Sequence, residues 1–250
     1  MSRSGSLPVG RLAAEFVVIV IGVLVALGVD RWVAGLDERD QELAYLAELR
    51  TDFVRNHDLA ANGARVEGEI ADLAVILLES LGTAAPRGDP AQILLAAELT
   101  GYVYYSSYAE GAWNDLQAAG STLLLRDAGL RVAISEFYRD LHWGSELAAE
   151  IGVSVTNYRV VSQRFIDPHA RLAMAEAFLG WPGFQPLSLL EALDSFDVGA
   201  LAEPVTAAEE LAAPLATAII AHRARSVTFS EQLPKIDSIV EMIDRALGAL

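Results

Sequence analysis

Four histidines, His57, His142, His169 and His222, are the side chains best suited to chemistry in a chain that has no cysteine. They lie far apart, and none belongs to an HExxH or ExxH pair, so no two of them offer metal ligands on one helical face. Taken singly they read as surface or ordinary core histidines. His222 stands apart because it falls on an apolar seam with Ser226 one turn later, and a buried imidazole needs a partner or shifts its proton affinity. A structural hydrogen bond explains it more simply than catalysis. Carboxylates are abundant, but Glu67 with Glu69 and Glu209 with Glu210 do not share a helical face; Glu146 and Glu150 do, as a solvated face would. The chain has no GxSxG, GxGxxG or GxxxxGK[ST] motif. Arg87-Gly88-Asp89 matches an adhesion tripeptide but sits in a Pro/Gly turn. These residues assign no catalytic, cofactor-binding or metal site, and no cofactor.

The candidates for recognition are aromatic. Residues 101–120, GYVYYSSYAEGAWNDLQAAG, hold four of the seven tyrosines, Tyr102, Tyr104, Tyr105 and Tyr108, together with Trp113. Tyrosine and tryptophan join a large apolar area to a polar tip, which suits a ligand pocket or a partner surface. The other reading is a plug that closes the end of a bundle.

Composition narrows the partners. The 250 residues are 53% hydrophobic and carry a formal charge of −16, with Lys235 the one lysine. Such a charge repels nucleic acid and anionic membrane surfaces, leaving basic or neutral, apolar partners. Without cysteine there is no disulfide framework and no thiolate chemistry.

The element that positions everything else is Arg11 to Trp32, RLAAEFVVIVIGVLVALGVDRW, expected as a transmembrane anchor after a flexible tail over residues 1–10. From Phe16 to Val29 nothing is charged, and with Leu12 to Ala14 the run reaches about the minimum that crosses a bilayer core. Glu15 sits at one end, within reach of the headgroups, and Trp32 occupies the interfacial position at the other. A cleaved signal peptide would share the arginines, the apolar core and the small residues Ala26 and Gly28. A soluble buried helix would show a polar face, and this stretch has none. Arg3 and Arg11 before the span and Arg31 and Arg39 after it leave little charge bias. The expectation is a single-pass protein of a bacterial inner membrane with its bulk in the periplasm. Gly22 and Ala26, four apart, are candidates for helix association with a second copy or a membrane protein.

Residues 33–250 read as one helical bundle domain. Leu43, Leu46, Leu49 and Phe53 form one apolar stripe, which could extend a dimer as a short coiled coil or face the chain's own bundle. Val66, Ile70, Leu73, Leu77 and Leu81 form a second. Polar Asn56 to Gly68, with two glycines, predicts a bend or break between them. A turn over Gly82 to Pro90 precedes a short helix from Ala91 to Leu99. Another covers Trp113 to Ala119 and stops at Gly120. Asp127 caps a long helix whose seam runs Leu130, Ile134, Phe137, Leu141, Ala148, Ile151, Val155, Tyr158, Phe165, and Asp167-Pro168 ends it or kinks it sharply. Two small helices are expected between His169 and Pro204. A capping box, Thr206-Ala-Ala-Glu209, opens the last helix, with Pro214 and Pro234 as kinks or restarts and a stripe from Leu211 through His222 and Phe229 to Leu247. The fold class is all-α, an N-terminal transmembrane helix continuing into a long-helix bundle.

Two stretches together resemble a domain-of-unknown-function family of bacterial single-span proteins. Glu15, Gly22, Ala26 and Trp32, then Glu42, Leu46, Leu49 and Asp52, resemble its N-terminal span and charged helix. Trp113-Asn-Asp-Leu116 through Ala119-Gly120 to Leu124, Asp127, Leu130, Arg131 and Tyr138 resembles its internal motif. Val29-Asp30-Arg31 and the glycine-rich Asn62 to Gly68 depart from that pattern. The resemblance implies a single span with a helical domain and no established activity.

The function expected is therefore an interaction, scaffold or sensing module of the cell envelope, with the lipid bilayer as one partner. The rival is an enzyme whose site is assembled from distant polar residues.

Overall fold

The structure, a computed structural model, describes residues 9–105, 107–179 and 186–248; the side chains of residues 9–15, 143–150, 178–179 and 186–188 are not described. Helices build it: α1 (Val9–Ser80), α2 (Pro90–Leu99), α3 (Gly111–Ala118), α4 (Ala128–Ser162), α5 (Pro168–Leu179), α6 (Val198–Thr206) and α7 (Ala212–Gly248). Short 3-10 turns occupy Thr122–Leu124, Pro186–Leu193 and Glu209–Leu211. No strand occurs among the described residues. The fold is all-α, a long apolar N-terminal helix leading into a helical bundle.

α1 sets the frame. Its 72 residues rise on the order of 100 Å in one helix. The first half is uncovered: Phe16, Ile19, Val23, Leu27 and Trp32 are all exposed, and the helix is long and apolar enough to cross a membrane. The second half is a core helix in which Leu46, Leu49, Phe53, Ile70 and Leu77 are buried. The Leu46, Leu49, Phe53 stripe thus faces the chain's own bundle, where it meets Phe137 and Tyr138 of α4 and Ile236 and Ile243 of α7. It is not free to extend a coiled-coil dimer. Of the expected tail, Val9 and Gly10 already belong to α1, and residues 1–8 lie outside the described residues.

The break expected over Asn56 to Gly68 does not occur, α1 running on through it, because these residues answer to packing and not to propensity. A Cβ added at Gly63 would stand 2.9 Å from the Phe229 ring, so the glycine is what lets α7 lie close against α1. The Ser226 hydroxyl donates to the Ala64 carbonyl 2.7 Å away at the same crossing. Contact with α7 thus supports α1 where its own sequence is weakest.

The remaining boundaries follow from caps. Asp89 accepts from the Gln92 amide and Asp127 from the Leu130 amide, opening α2 and α4. Gly120, with φ of 65°, ends the α3 segment. α4 stops at Ser162, before Phe165, and Asp167 caps α5 through the His169 and Ala170 amides. Between His169 and Pro204 there are α5, a 3-10 turn and the start of α6, one element more than expected. The capping box at Thr206 does not form. Thr206 is the last residue of α6, its hydroxyl turned back to the Ala202 and Glu203 carbonyls, and α7 begins only at Ala212 after a 3-10 turn. Pro214 falls in the first turn of α7, where a missing N–H costs nothing, and α7 runs on through Pro234. At the start of α4 it is Leu125 that is fully buried, whereas Leu124 is half-buried.

Candidate functional site

Polar residues along α1 converge on the irregular segment that follows α2. Glu42, Asp52, Asn56 and Glu67 fall within an arc of about 80° at 100° per residue. Each binds backbone of the segment 100–127, in antiparallel order. Glu42 Oε1 accepts from the Arg126 amide at 2.7 Å, and Asp52 Oδ2 from the Ala112 amide in the first turn of α3 at 3.0 Å. Asn56 holds Ala109 twice, accepting from its N–H at 2.6 Å and donating to its carbonyl at 2.8 Å. Glu67 Oε1 accepts from the Tyr104 amide at 3.1 Å. This ladder satisfies backbone groups that a loop crossing a core would otherwise leave unpaired.

At its upper end the ladder closes on a charged cluster. Glu67 and His222 are fully buried, and Arg225 is buried to 9% exposure. His222 and Arg225, three apart on α7, reach Glu67 together: Nδ1 to Oε2 at 2.5 Å and Nε to Oε1 at 2.7 Å. His222 Nε2 lies 3.0 Å from the Thr100 carbonyl, and Arg225 donates to the Tyr104 carbonyl. A carbonyl can only accept, so Nε2 carries a hydrogen, and one further proton lies between Nδ1 and the carboxylate. Arg225 also stands 5.7 Å from the Phe229 ring centroid, and Phe229 meets Tyr104 edge-on. One cluster thereby locks α1, α7 and the chain after α2.

The sequence-predicted recognition residues divide around this framework. Tyr102 is half-buried, donates to Glu98 at 2.8 Å and carries Arg159 4.4 Å above its ring. Burial, aided by Glu98, raises the pKa of its phenol. The Tyr104 hydroxyl accepts from Asn62 at 3.0 Å. Burial pushes Tyr108 up to about 12, and its hydroxyl has no hydrogen-bond partner among the described residues. Trp113 is only 5% exposed and stacks on Tyr138, centroids 6.5 Å apart. Tyr105, at 86% exposure, is the one of the five that faces solvent openly. Gly22 and Ala26 lie on the uncovered half of α1, and a Cβ at Gly22 would meet nothing within 4 Å.

The other sequence candidates have structural roles. Arg87 pairs with Glu79 and Asp89 caps α2, which accounts for the tripeptide. His57 lies 3.6 Å from Asp237 and His142 3.6 Å from Glu110, both on the surface. Glu146 and Glu150 lie outside the described side chains. No group of three or more His, Asp or Glu that could hold a metal occurs among the described residues. Between α2, α5 and the Pro186–Leu193 turn lies a shallow dent lined by Leu95, Glu98, Tyr102, Met174 and Leu189, with no room for even a water-sized guest. It is not a ligand cleft of the usual size. Among the described residues Glu67 and His222 present no surface to solvent, and a general base must reach the proton it takes.

No family model, curated protein or solved structure matches the chain. Geometry is therefore the only guide to function. In the sequence Glu67 stands out only beside Glu69, with which it shares no helical face, and Arg225 not at all. The available signals were a carboxylate set into the stripe of Ile70, Ala71 and Ala74, and an arginine three residues beyond a seam histidine.

Proposed function

We propose that this chain is a single-pass protein of a bacterial inner membrane whose helical domain, held in the periplasm, serves as an interaction, scaffold or sensing module. The observation that supports this reading is α1 itself. One continuous helix is wholly uncovered from Phe16 to Trp32 and then becomes the central core helix of the bundle. An apolar surface of that length in water opposes solubility, and a bilayer removes it at once. The anchor and the domain share a helix, so a force or rotation at either end has a stiff path to the other. Partners are the lipid bilayer and a membrane protein or second copy reached along the same helix. Nucleic acid is disfavoured by the charge of −16. The two stretches that carry the resemblance pack together in this chain, Glu42 on Arg126, Asp52 on Ala112 and Trp113 on Tyr138.

The test has two arms. Alkaline carbonate extraction of membranes should leave the full chain in the pellet; release to the supernatant would end the anchor reading. A single cysteine at exposed Pro86, in a chain with none of its own, should react with an impermeant thiol reagent in spheroplasts. Failure there, with reaction after lysis, would place the domain in the cytoplasm.

A further inference from the structure

The end of the bundle nearest the uncovered half of α1 is made by the chain between α3 and α4. Glu42, which binds the Arg126 amide, follows Trp32 by ten residues, about 15 Å of helix. The interfacial layer takes up the first part of that distance, since a bilayer of about 40–45 Å overall has a hydrocarbon core of about 30 Å. The turn Thr122–Leu124 packs on α1 here. Leu123 at its centre is 77% exposed, more than any other large aliphatic side chain described, including those of the apolar half of α1.

The loop holding it is tied down. Gly120 turns at φ of 65°, the Ser121 amide donates to the Leu116 carbonyl, and the Leu124 amide to Ser121. Arg131 donates to the Leu125 carbonyl, and neighbouring Leu125 is fully buried. A leucine is therefore held outward by a fixed backbone while the residue two places on is core. The cations at this end are engaged: Arg126 lies 3.4 Å from Glu42, and Arg39 3.9 Å from the same carboxylate. Exposed Asp37, Glu38 and Asp40 lie on α1 between Trp32 and Glu42, so an anionic surface is disfavoured at this end and a zwitterionic bilayer suits the exposed Leu123 better.

We infer that the turn Thr122–Leu124 is a second membrane contact, with Leu123 entering the headgroup layer of the bilayer that α1 crosses. This rests on the anchor reading above. A tilt of α1 of about 20°, ordinary for a spanning helix, brings a side chain about 10 Å from its axis roughly 3–4 Å nearer the surface. Two points of attachment, one along the span and one beside it, fix the azimuth of the domain as well as its height. Of the residues offered for recognition, Tyr105 would then face away from the membrane. Its neighbour Tyr104 is bound to Glu67, 35 residues or about 50 Å of helix beyond Trp32.

The test uses the full chain in phosphatidylcholine vesicles containing a lipid with a nitroxide on its headgroup. Single cysteines at Val20, Leu123 and Tyr105 carry the same fluorophore, and all three positions are exposed, so the fold tolerates them. Val20 is read with nitroxides on the acyl chains. Headgroup quenching at position 123 should exceed that at 105 by about twofold or more. Quenching at Val20 with equal values at 123 and 105 overturns the second contact and leaves the anchor standing. No quenching at Val20 overturns the anchor reading and this inference with it.

Discussion

Nδ1 of His222 lies 2.5 Å from Oε2 of Glu67, 155 positions away in sequence, with no solvent around either side chain. Removing the carboxylate leaves Arg225 and the imidazole facing an uncompensated interior, which for buried pairs costs about 3–5 kcal/mol. Glu67→Ala should therefore lower the melting temperature of the detergent-solubilised full chain sharply. The Tyr104 amide, which loses its acceptor, should exchange hydrogen faster. A melt equal to that of the native chain would show that the cluster does not hold the segment after α2.

Gly63 gives a prediction with a built-in rescue. Gly63→Ala would place a methyl 2.9 Å from Phe229, forcing α1 and α7 apart. Despite alanine's better helix propensity, the overpacking should cost about 1–3 kcal/mol. Phe229→Leu in the same chain should recover part of that loss, and strict additivity of the two changes would rule out the contact as its cause.

The architecture was legible because seams report locally. Leu46, Leu49 and Phe53, and Val66, Ile70 and Leu77, each show their buried face within a few turns, and Asp127 announces its helix within one. Continuity through Asn56 to Gly68 was not legible, since Gly63 reads as a breaker until Phe229 is known to lie over it. The ladder and the cluster were hidden for the same reason. Glu42, Asp52 and Glu67 look like solvated carboxylates on a charged helix, and the backbone amides and side chains they hold across the fold are from 37 to 158 residues away. Only His222 signalled itself, as a polar residue on an apolar seam. What the Tyr102 to Trp113 aromatics do divided by position, since Trp113 packs and Tyr105 projects.

Trp113 tests whether α3 fastens the lower half of the bundle. It is buried against Tyr138, whose hydroxyl donates to the Ala109 carbonyl that Asn56 also holds. Trp113→Ala should cost about 3–5 kcal/mol, read as a lowered melting temperature. Trp113→Phe should keep most of the stability. If alanine is tolerated without change, the indole is not part of the core and belongs to a binding surface.

Alkali should expose the unpaired hydroxyl of Tyr108. Burial raises its pKa in the folded chain from 10.0 to about 12, while in the unfolded chain it stays near its ordinary value. Above that ordinary value the unfolded state gives up a proton that the folded state keeps, so stability falls with rising pH. The contribution is fully present below pH 10 and is lost as pH climbs through about 12, a window fixed by the two values. Tyr102, Tyr138 and Tyr158 shift in the same direction, each chiefly by burial, and steepen the loss. Tyr108→Phe removes both the titrating group and a buried hydroxyl without a partner among the described residues. It should raise stability at neutral pH by on the order of 1 kcal/mol and flatten the alkaline fall. Melting curves of the two proteins from about pH 8 to about pH 12 decide it. Parallel curves would mean that the Tyr108 hydroxyl is already satisfied by water, and the shift assigned to its burial would be wrong.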